Sequence, residues 1–120
     1  MDFKDQKPIY LQIADHICNL ILTGQLGEGD KLSSVREYAA EMEVNVNTVA
    51  RTFEWLQNHQ VIQSRRGLGN FVSPGAKQAI ESERREEFYT QQIPELHHTM
   101  QALGITIDDL VDHLKQISTT

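Results

Sequence analysis

Cysteine is almost absent from this sequence, which contains one in 120 residues. A single thiol cannot form an internal disulfide, so a disulfide-stabilised fold within the chain is excluded. Cys18 lies in an apolar stretch with helical spacing. We therefore expect a reduced thiol in the core, and a reactive thiol is the alternative.

Long apolar runs are missing as well. No segment approaches the roughly 20 consecutive apolar residues that cross a membrane, and the N-terminal MDFKDQKPIY lacks the basic-then-apolar pattern of a signal peptide. A hydrophobic content of 39% and a charged content of 23% are typical of a packed core. We expect a cytoplasmic protein with one domain, or one small domain and an appendage.

Motifs for catalysis and for cofactors are missing too. The sequence has no nucleophile–base pair, phosphate-binding loop or metal-ligand cluster, so we expect no enzymatic activity and no cofactor. His97, His98 and His113 are the nearest approach to a metal site. Adjacent helical residues point about 100° apart, and neither cysteine nor a close carboxylate set completes a tetrahedral site. We expect no metal and interpret these histidines as solvent-exposed or interface residues.

Positive charge is scarce overall, since the formal net charge is −6. By itself this balance argues against nucleic acid. The charge is unevenly distributed, however: residues 1–75 carry seven Lys and Arg against nine Asp and Glu, and residues 76–120 carry four against eight. The placement of individual arginines in the N-terminal part is therefore more informative than the total.

Two short amphipathic helices are predicted close together after a first helix that runs from Pro8 to before Gly24. Ser34-Val-Arg-Glu37 forms a capping box at the start of the second helix. Asn45 is a suitable N-cap for the third helix, predicted to end near residues 58–60. In that third helix the pattern places Val46, Val49, Ala50, Phe53 and Leu56 on the inner face and Asn47, Thr48, Arg51 and Thr52 largely on the outer face.

A β-hairpin is predicted after the third helix. The β-prone runs 61–64 and 70–72 bracket the basic, glycine-containing segment Arg65-Arg66-Gly67-Leu68-Gly69. Helix, turn, helix and basic hairpin are the parts of a winged helix-turn-helix. The fold class is therefore mostly α with a small β-hairpin wing. Ser73-Pro74-Gly75 is the best domain boundary, which gives a DNA-binding domain over residues 1–75 and a C-terminal helical domain over residues 76–120.

The C-terminal part is predicted to hold a long charged helix over residues 76–103, kinked or broken at Pro94, and a last helix from Ile107 to about Ile117. Two helices cannot enclose a typical ligand pocket of roughly 300 Å³. We expect their apolar residues to form a homodimer contact with two-fold symmetry, whereas the alternative is packing on the first helix of the same chain. The candidate dimerisation residues are Leu103, Ile107, Leu110, Val111, Leu114 and Ile117.

The polar residues of the N-terminal part suit DNA recognition. Asn pairs with adenine, Arg with guanine, and Thr with phosphate or a thymine methyl. The candidate DNA-binding residues are Ser34, Arg36, Asn45, Asn47, Thr48, Arg51, Arg65, Arg66, Gly67, Gly69 and Asn70. The alternatives are an ordinary solvated helix face, an Arg36 that pairs with Glu37 or Glu41, and wing arginines that only keep an edge strand soluble.

The segment from Thr23 to Val72 also resembles the DNA-binding domain of GntR-type bacterial transcription regulators. The matching pieces are G-x-L-x-x-G-D-x-L, S-x-R-E-x-A, V-N-x-N-T-V and R-G-x-G-x-F-V, in family order, within about residues 9–72. The form V-N-x-N-T-V, with two short helical elements behind the wing, is similar to the YtrA-like branch. By position Arg36 matches the S-x-R arginine, Asn45, Asn47 and Thr48 match the start of the recognition helix, and Gly67 and Gly69 match the wing.

This resemblance implies a homodimer on a palindromic operator, usually a repressor of its own operon. A winged helix that binds another protein is the alternative function. The sequence departs from the family at Ser33, where proline is common, and at Glu43 and Gln60, where glycine is common. A positive φ at Glu43 or Gln60 would add strain of about 1 kcal/mol or more.

Overall fold

A computed structural model of the chain describes residues 7–119, which form a mostly helical structure with one two-stranded antiparallel sheet. This confirms the predicted fold class. In chain order the elements are α1 (Ile9–Leu22), α2 (Val35–Met42), α3 (Val46–Asn58), β1 (Ile62–Arg65), β2 (Gly69–Val72), α4 (Ala76–Glu87), a π-helical turn (Phe88–Gln92), α5 (Ile93–Leu103) and α6 (Ile107–Ser118). They divide into two compact units, the first ending at Ser82 and the second beginning at Glu83.

The core of the first unit lies where α1, α2 and α3 pack together with the hairpin and the start of α4. Its buried apolar residues are Ile13, Ala14, Ile17, Cys18, Ile21, Leu32, Ala39, Val49, Phe53, Leu56, Val61, Ile62, Val72, Ala76 and Ile80. Cys18 is a free thiol within this cluster, as expected. Burying one large apolar side chain stabilises a fold by about 1.5–3 kcal/mol, so this cluster is the main source of stability for the unit.

The turn between α2 and α3 has an unusual backbone. α2 ends at Glu43, which has a left-handed conformation with φ 56°, and Asn45 caps α3 through its side chain. Gln60, shortly after α3, has φ 62°. Both residues stand where the resembling family commonly has glycine, and both adopt the positive φ at which a side chain is expected to be strained.

The outward face of α3 is rotated relative to the sequence prediction. Thr52 is predicted to lie largely outside but is fully buried. Its hydroxyl shares its one proton between the carbonyls of Tyr10 (2.8 Å) and Thr48 (3.1 Å). Val46 and Ala50 were expected inside but are exposed. The polar Thr52 can be buried because both acceptors are backbone carbonyls within the first unit.

The hairpin forms a wing of paired strands. Ile62 pairs with Val72 at its base and Arg65 with Gly69 at its tip. The loop between α1 and α2 also pairs with β2. Lys31 forms a bridge with Phe71, and the Leu32 N–H donates to the Asn70 carbonyl at 2.9 Å. The base of the wing is therefore fixed to the core while its tip is exposed.

The second unit is helical and has little buried surface. Pro94 lies in the first turn of α5, where a missing N–H is tolerated, and the π-helical turn comes directly before it. Met100 is the one buried residue between Glu83 and Thr119. Among the described residues, no helix has both the length and the apolar composition for crossing a membrane.

Candidate nucleic-acid interface

The N-terminus of α3 exposes amide and hydroxyl groups. Asn45 is exposed, and its side-chain oxygen accepts the Asn47 N–H at 2.7 Å, so this residue shapes the helix start. The Asn47 side chain is exposed and has no hydrogen-bond partner among the described residues. Thr48 is half-buried one position later. Asn47 is therefore an amide in the first turn of α3 that remains free to pair with a base edge.

Arg51 lies one turn further along the same helix. Its guanidinium carbon is 4.1 Å from the centroid of the Tyr10 ring, which is a cation–π contact. An open groove of about 380 Å³ runs beside this contact, lined by Pro8, Ile9, Tyr10, Asn47, Thr48 and Arg51. The start of α1 and the start of α3 thus form one surface.

Ser34 and Arg36 belong to the start of α2. The Ser34 hydroxyl accepts the Glu37 N–H at 3.1 Å, and the Glu37 carboxylate accepts the Ser34 N–H at 3.0 Å, which completes the predicted capping box. The Ser34 N–H, and then the Ser34 side chain, stabilise the charged carboxylate and lower the pKa of Glu37. Ser34 therefore has a structural role at the helix start.

Arg36 is exposed in the first turn of α2, and no described residue forms an ion pair or hydrogen bond with its guanidinium. The two carboxylates considered as partners are engaged elsewhere. Glu37 accepts the Ser34 N–H, and Glu41 accepts the Ser33 hydroxyl at 3.2 Å. Arg36 is therefore a cation with all its donors available for a phosphate or a base.

The wing presents two arginines of different kinds. The Arg65 guanidinium carbon is 4.5 Å from the centroid of the Phe71 ring, whereas Arg66 is exposed and makes no contact of this kind with a described residue. Gly67 and Gly69 have φ of 75° and 109°, which only glycine adopts easily, so the tip needs these residues. The tip is a narrow exposed turn with two positive charges.

Asn70 connects the wing to α3. Its side-chain oxygen accepts from the Gln57 amide at 3.0 Å. Asn70 thus links the wing to α3, which is a positioning role. No local sequence pattern marks Gln57, because its contact with Asn70 joins two elements that are distant along the chain.

Further residues of this surface were missed from the sequence. Lys31 is exposed and its Cε lies 3.1 Å from where a Cβ on Gly69 would be, so it adds a cation beside the wing. Val46 and Ala50 add apolar contacts on the outward face of α3, suitable for a thymine methyl. A correct assignment of the outward face of α3 would have identified Val46 and Ala50 from the sequence. The bridge between Lys31 and Phe71 has no local sequence signal.

The chain is similar in sequence to known transcription regulators. The sequence pattern of the family described as bacterial regulatory proteins, gntR family, matches residues 9–72. The HTH-type transcriptional regulator YhcF of Bacillus subtilis is 35% identical over 94% of this chain and 92% of its own length. The HTH-type transcriptional repressor YtrA of the same organism is 32% identical over 98% of this chain and 90% of its own length.

A solved structure shows the same similarity in three dimensions. A transcriptional regulator of the GntR family from Bacteroides thetaiotaomicron superposes with a TM-score of 0.80 at 42% identity, covering 93% of this chain and 97% of that one. The similarity therefore extends over the C-terminal helices as well as over the winged unit.

Proposed function

This chain belongs to the gntR family of bacterial regulatory proteins, in its YtrA-like branch, and we propose that it is a repressor that binds a palindromic operator as a homodimer. Membership of the family makes it a DNA-binding transcription regulator. We assign it repression because the relative YtrA is named a transcriptional repressor. The similarity to YtrA extends over nearly the whole of both chains. We place it in the cytoplasm, where its DNA target is, and assign it no catalytic activity.

Recognition begins at the start of α3 in this proposal. Asn47 pairs with a base in the major groove, Arg51 with a second, and Val46 contacts a neighbouring methyl group. The observation that supports this role is the freedom of the Asn47 amide, since an exposed, unpartnered amide in the first turn of the recognition helix has no structural function in the described chain.

In the proposal, cations beside the start of α3 bind the phosphate backbone of the DNA. Arg36 binds a phosphate at the start of α2, and the wing clamps the neighbouring groove through Arg65, Arg66 and the glycine turn. Lys31 adds a further positive charge beside Gly69. These cations offset the acidic character of the whole chain at the one surface that faces DNA.

Residues 76–120 supply the dimer contact in the proposal, and residues 1–75 the DNA-binding domain. The six apolar residues chosen from the sequence are not buried in the single chain: Leu103 is 68% exposed, Ile107 70% and Ile117 69%. Such a concentration of apolar surface on two short helices is typical of an interface. Dimerisation doubles the DNA contact, and a single half-site gives too small an area for tight specific binding.

The experiment that tests the proposal is affinity selection from a random duplex library at near-physiological salt. We expect an enriched two-fold symmetric sequence, bound by a protein that sediments as a dimer. Retention without a consensus sequence, or no retention, would contradict the proposal and favour the protein-interaction alternative. True DNA binding also weakens steeply with salt through counterion release.

Arg36→Ala provides the residue-level test on the selected operator. We expect a loss of about 1–3 kcal/mol in binding free energy, because one charge-assisted contact disappears. Lys77→Ala is the matched control, since Lys77 is an exposed cation on α4 and is not among the residues assigned to DNA. Full affinity of the Arg36 variant would remove this residue from the site.

A further inference from the structure

The arginines of the proposed DNA surface fall into two groups. Arg51 and Arg65 lie over aromatic rings, at 4.1 Å from the Tyr10 centroid and 4.5 Å from the Phe71 centroid. Arg36 and Arg66 have no ring, hydrogen-bond or ion-pair partner among the described residues. Two arginines of this surface are thus held by aromatic rings, and the other two are not held by any described residue.

An aromatic ring holds an arginine differently from a carboxylate. A carboxylate takes two of the five N–H donors and neutralises the charge, whereas a ring contacts the planar face and leaves the donors at the edge free. None of the described carboxylates forms an ion pair with Arg51. Its guanidinium is therefore held over the ring, and no described carboxylate occupies its N–H donors.

Tyr10 itself is fixed to the recognition helix. The buried hydroxyl of Thr52 donates to the Tyr10 carbonyl at 2.8 Å and also to the Thr48 carbonyl at 3.1 Å. Thr52 follows Arg51 directly in α3. A contact between residues 42 positions apart thus ties the first turn of α1 to the turn of α3 that carries Arg51.

We propose that Tyr10 is a positioning residue that orients the Arg51 guanidinium for bidentate pairing with a guanine in the operator. The inference rests on the proposed function and adds which base Arg51 recognises and what holds it. Bidentate pairing to guanine O6 and N7 needs a fixed plane and a free edge, and the Tyr10 contact supplies both. Asn47 and Thr48 line the same groove, so the oriented arginine lies beside the other base-contacting groups.

A phosphate target would make a different prediction. A phosphate accepts from many directions and needs no fixed guanidinium plane, so loss of the ring would leave sequence discrimination unchanged. For a guanine target, loss of the Tyr10 ring frees the Arg51 side chain to adopt more rotamers. Correct pairing must then remove this freedom at an entropic cost, so discrimination between base pairs falls. The measured quantity is therefore the affinity ratio between the matched operator and operators changed at one base pair.

The experiment uses the full chain and the operator obtained by selection. Arg51→Ala identifies the base pair at which discrimination collapses, which we expect to be G·C. Tyr10→Leu should reduce discrimination at that same pair by about twofold to fivefold, the range of an exposed cation–π contact. Tyr10→Phe keeps the ring and should retain the wild-type ratio. In the Arg51→Ala background, Tyr10→Leu should cause no further loss at that pair.

Replacement of Tyr10 by fluorinated phenylalanines covers the case in which Tyr10→Leu fails to fold. Fluorination weakens the negative ring face and preserves the ring shape, so discrimination at the Arg51 base pair should fall stepwise with fluorine number. Wild-type discrimination in Tyr10→Leu, or in the fluorinated series, overturns the inference while leaving the operator intact. Absence of any selected operator instead refutes the proposed function, so the two failures are distinguishable.

Discussion

The two units of this chain build their helices by the same local rules but bury very different amounts of apolar surface. α2 begins with a capping box at Ser34 and Glu37, and α6 begins with one at Thr106 and Asp109. The first unit packs its apolar faces into a contiguous core. α6 has no buried residue although its apolar residues follow one stripe. Local sequence thus specifies helices in both units, but only the first unit buries a contiguous apolar core within the described chain.

The largest expected effect follows from the core of the first unit. Leu56→Ala should lower the free energy of unfolding by about 2–5 kcal/mol, because Leu56 is fully buried and truncation leaves a cavity. Urea unfolding followed by Trp55 fluorescence measures it. Leu68→Ala is the matched control: Leu68 is 60% exposed at the wing tip, and the change should stay within about 0.5 kcal/mol. Equal effects of both changes would disprove a self-sufficient core.

The next effect concerns the second unit. Leu114→Glu places a charge on the α6 stripe at a side chain 52% exposed in the single chain. We expect the chain to fold and the dimer dissociation constant to rise by about 100-fold or more, because a two-fold contact buries the new charge twice. Analytical ultracentrifugation measures the change.

Gln116→Glu is the control for this experiment. It adds the same charge at an exposed position of α6 that lies off the apolar stripe, and it should leave the dimer intact. A Leu114→Glu protein that still dimerises like wild type would show that the stripe is not the interface. The second unit would then need another explanation for its exposed apolar residues.

The same contrast explains how much the sequence could predict. The start of α2 and both bounds of α6 follow from capping residues and apolar spacing, which are local, and the structure agrees with them to within a residue. The wing strands were predicted within a residue or two for the same reason, since glycines mark the turn between them. Local signals were sufficient wherever an element is defined by its own ends.

Contacts between residues far apart in the chain could not be predicted from the sequence. Thr52 is polar and was placed outside, yet a carbonyl 42 residues earlier satisfies its hydroxyl in the core. The candidate site shows the same limit. Asn47 and Arg36 are exposed as expected, but the ring under Arg51 and the link between Gln57 and Asn70 come from tertiary packing. Such contacts have no periodicity from which they could be predicted.

A smaller effect is expected at the two strained residues of the first unit. Glu43→Gly and Gln60→Gly should each raise the free energy of unfolding by about 0.5–1 kcal/mol, because glycine adopts φ near 60° without a Cβ clash. Ala40→Gly is the control with the opposite sign: it lies exposed inside α2 and should cost about 1 kcal/mol. Destabilisation by the first two changes would mean that these turns carry no strain.

The smallest effect compares the two capping boxes under acid. Backbone N–H groups of Ser34 and Thr106, and then the side chains of the same residues, lower the pKa of Glu37 and of Asp109. A lowered folded pKa gives stability that is present above the unfolded value and is lost as the pH falls through the folded value. Both helix starts should therefore weaken below the ordinary range of a carboxyl group.

The two units should respond to this loss differently. α2 is anchored by Ala39 in the core, whereas α6 has no buried residue in the single chain. In a Leu114→Lys background, whose added charge opposes dimerisation and is not neutralised by acid, we expect helix content measured by circular dichroism to fall with acid, and Asp109→Asn to flatten that decline more than Glu37→Gln does. An equal response would show that α6 is held as firmly as α2. The second unit would then fold independently of its partner, and its apolar stripe would serve association alone.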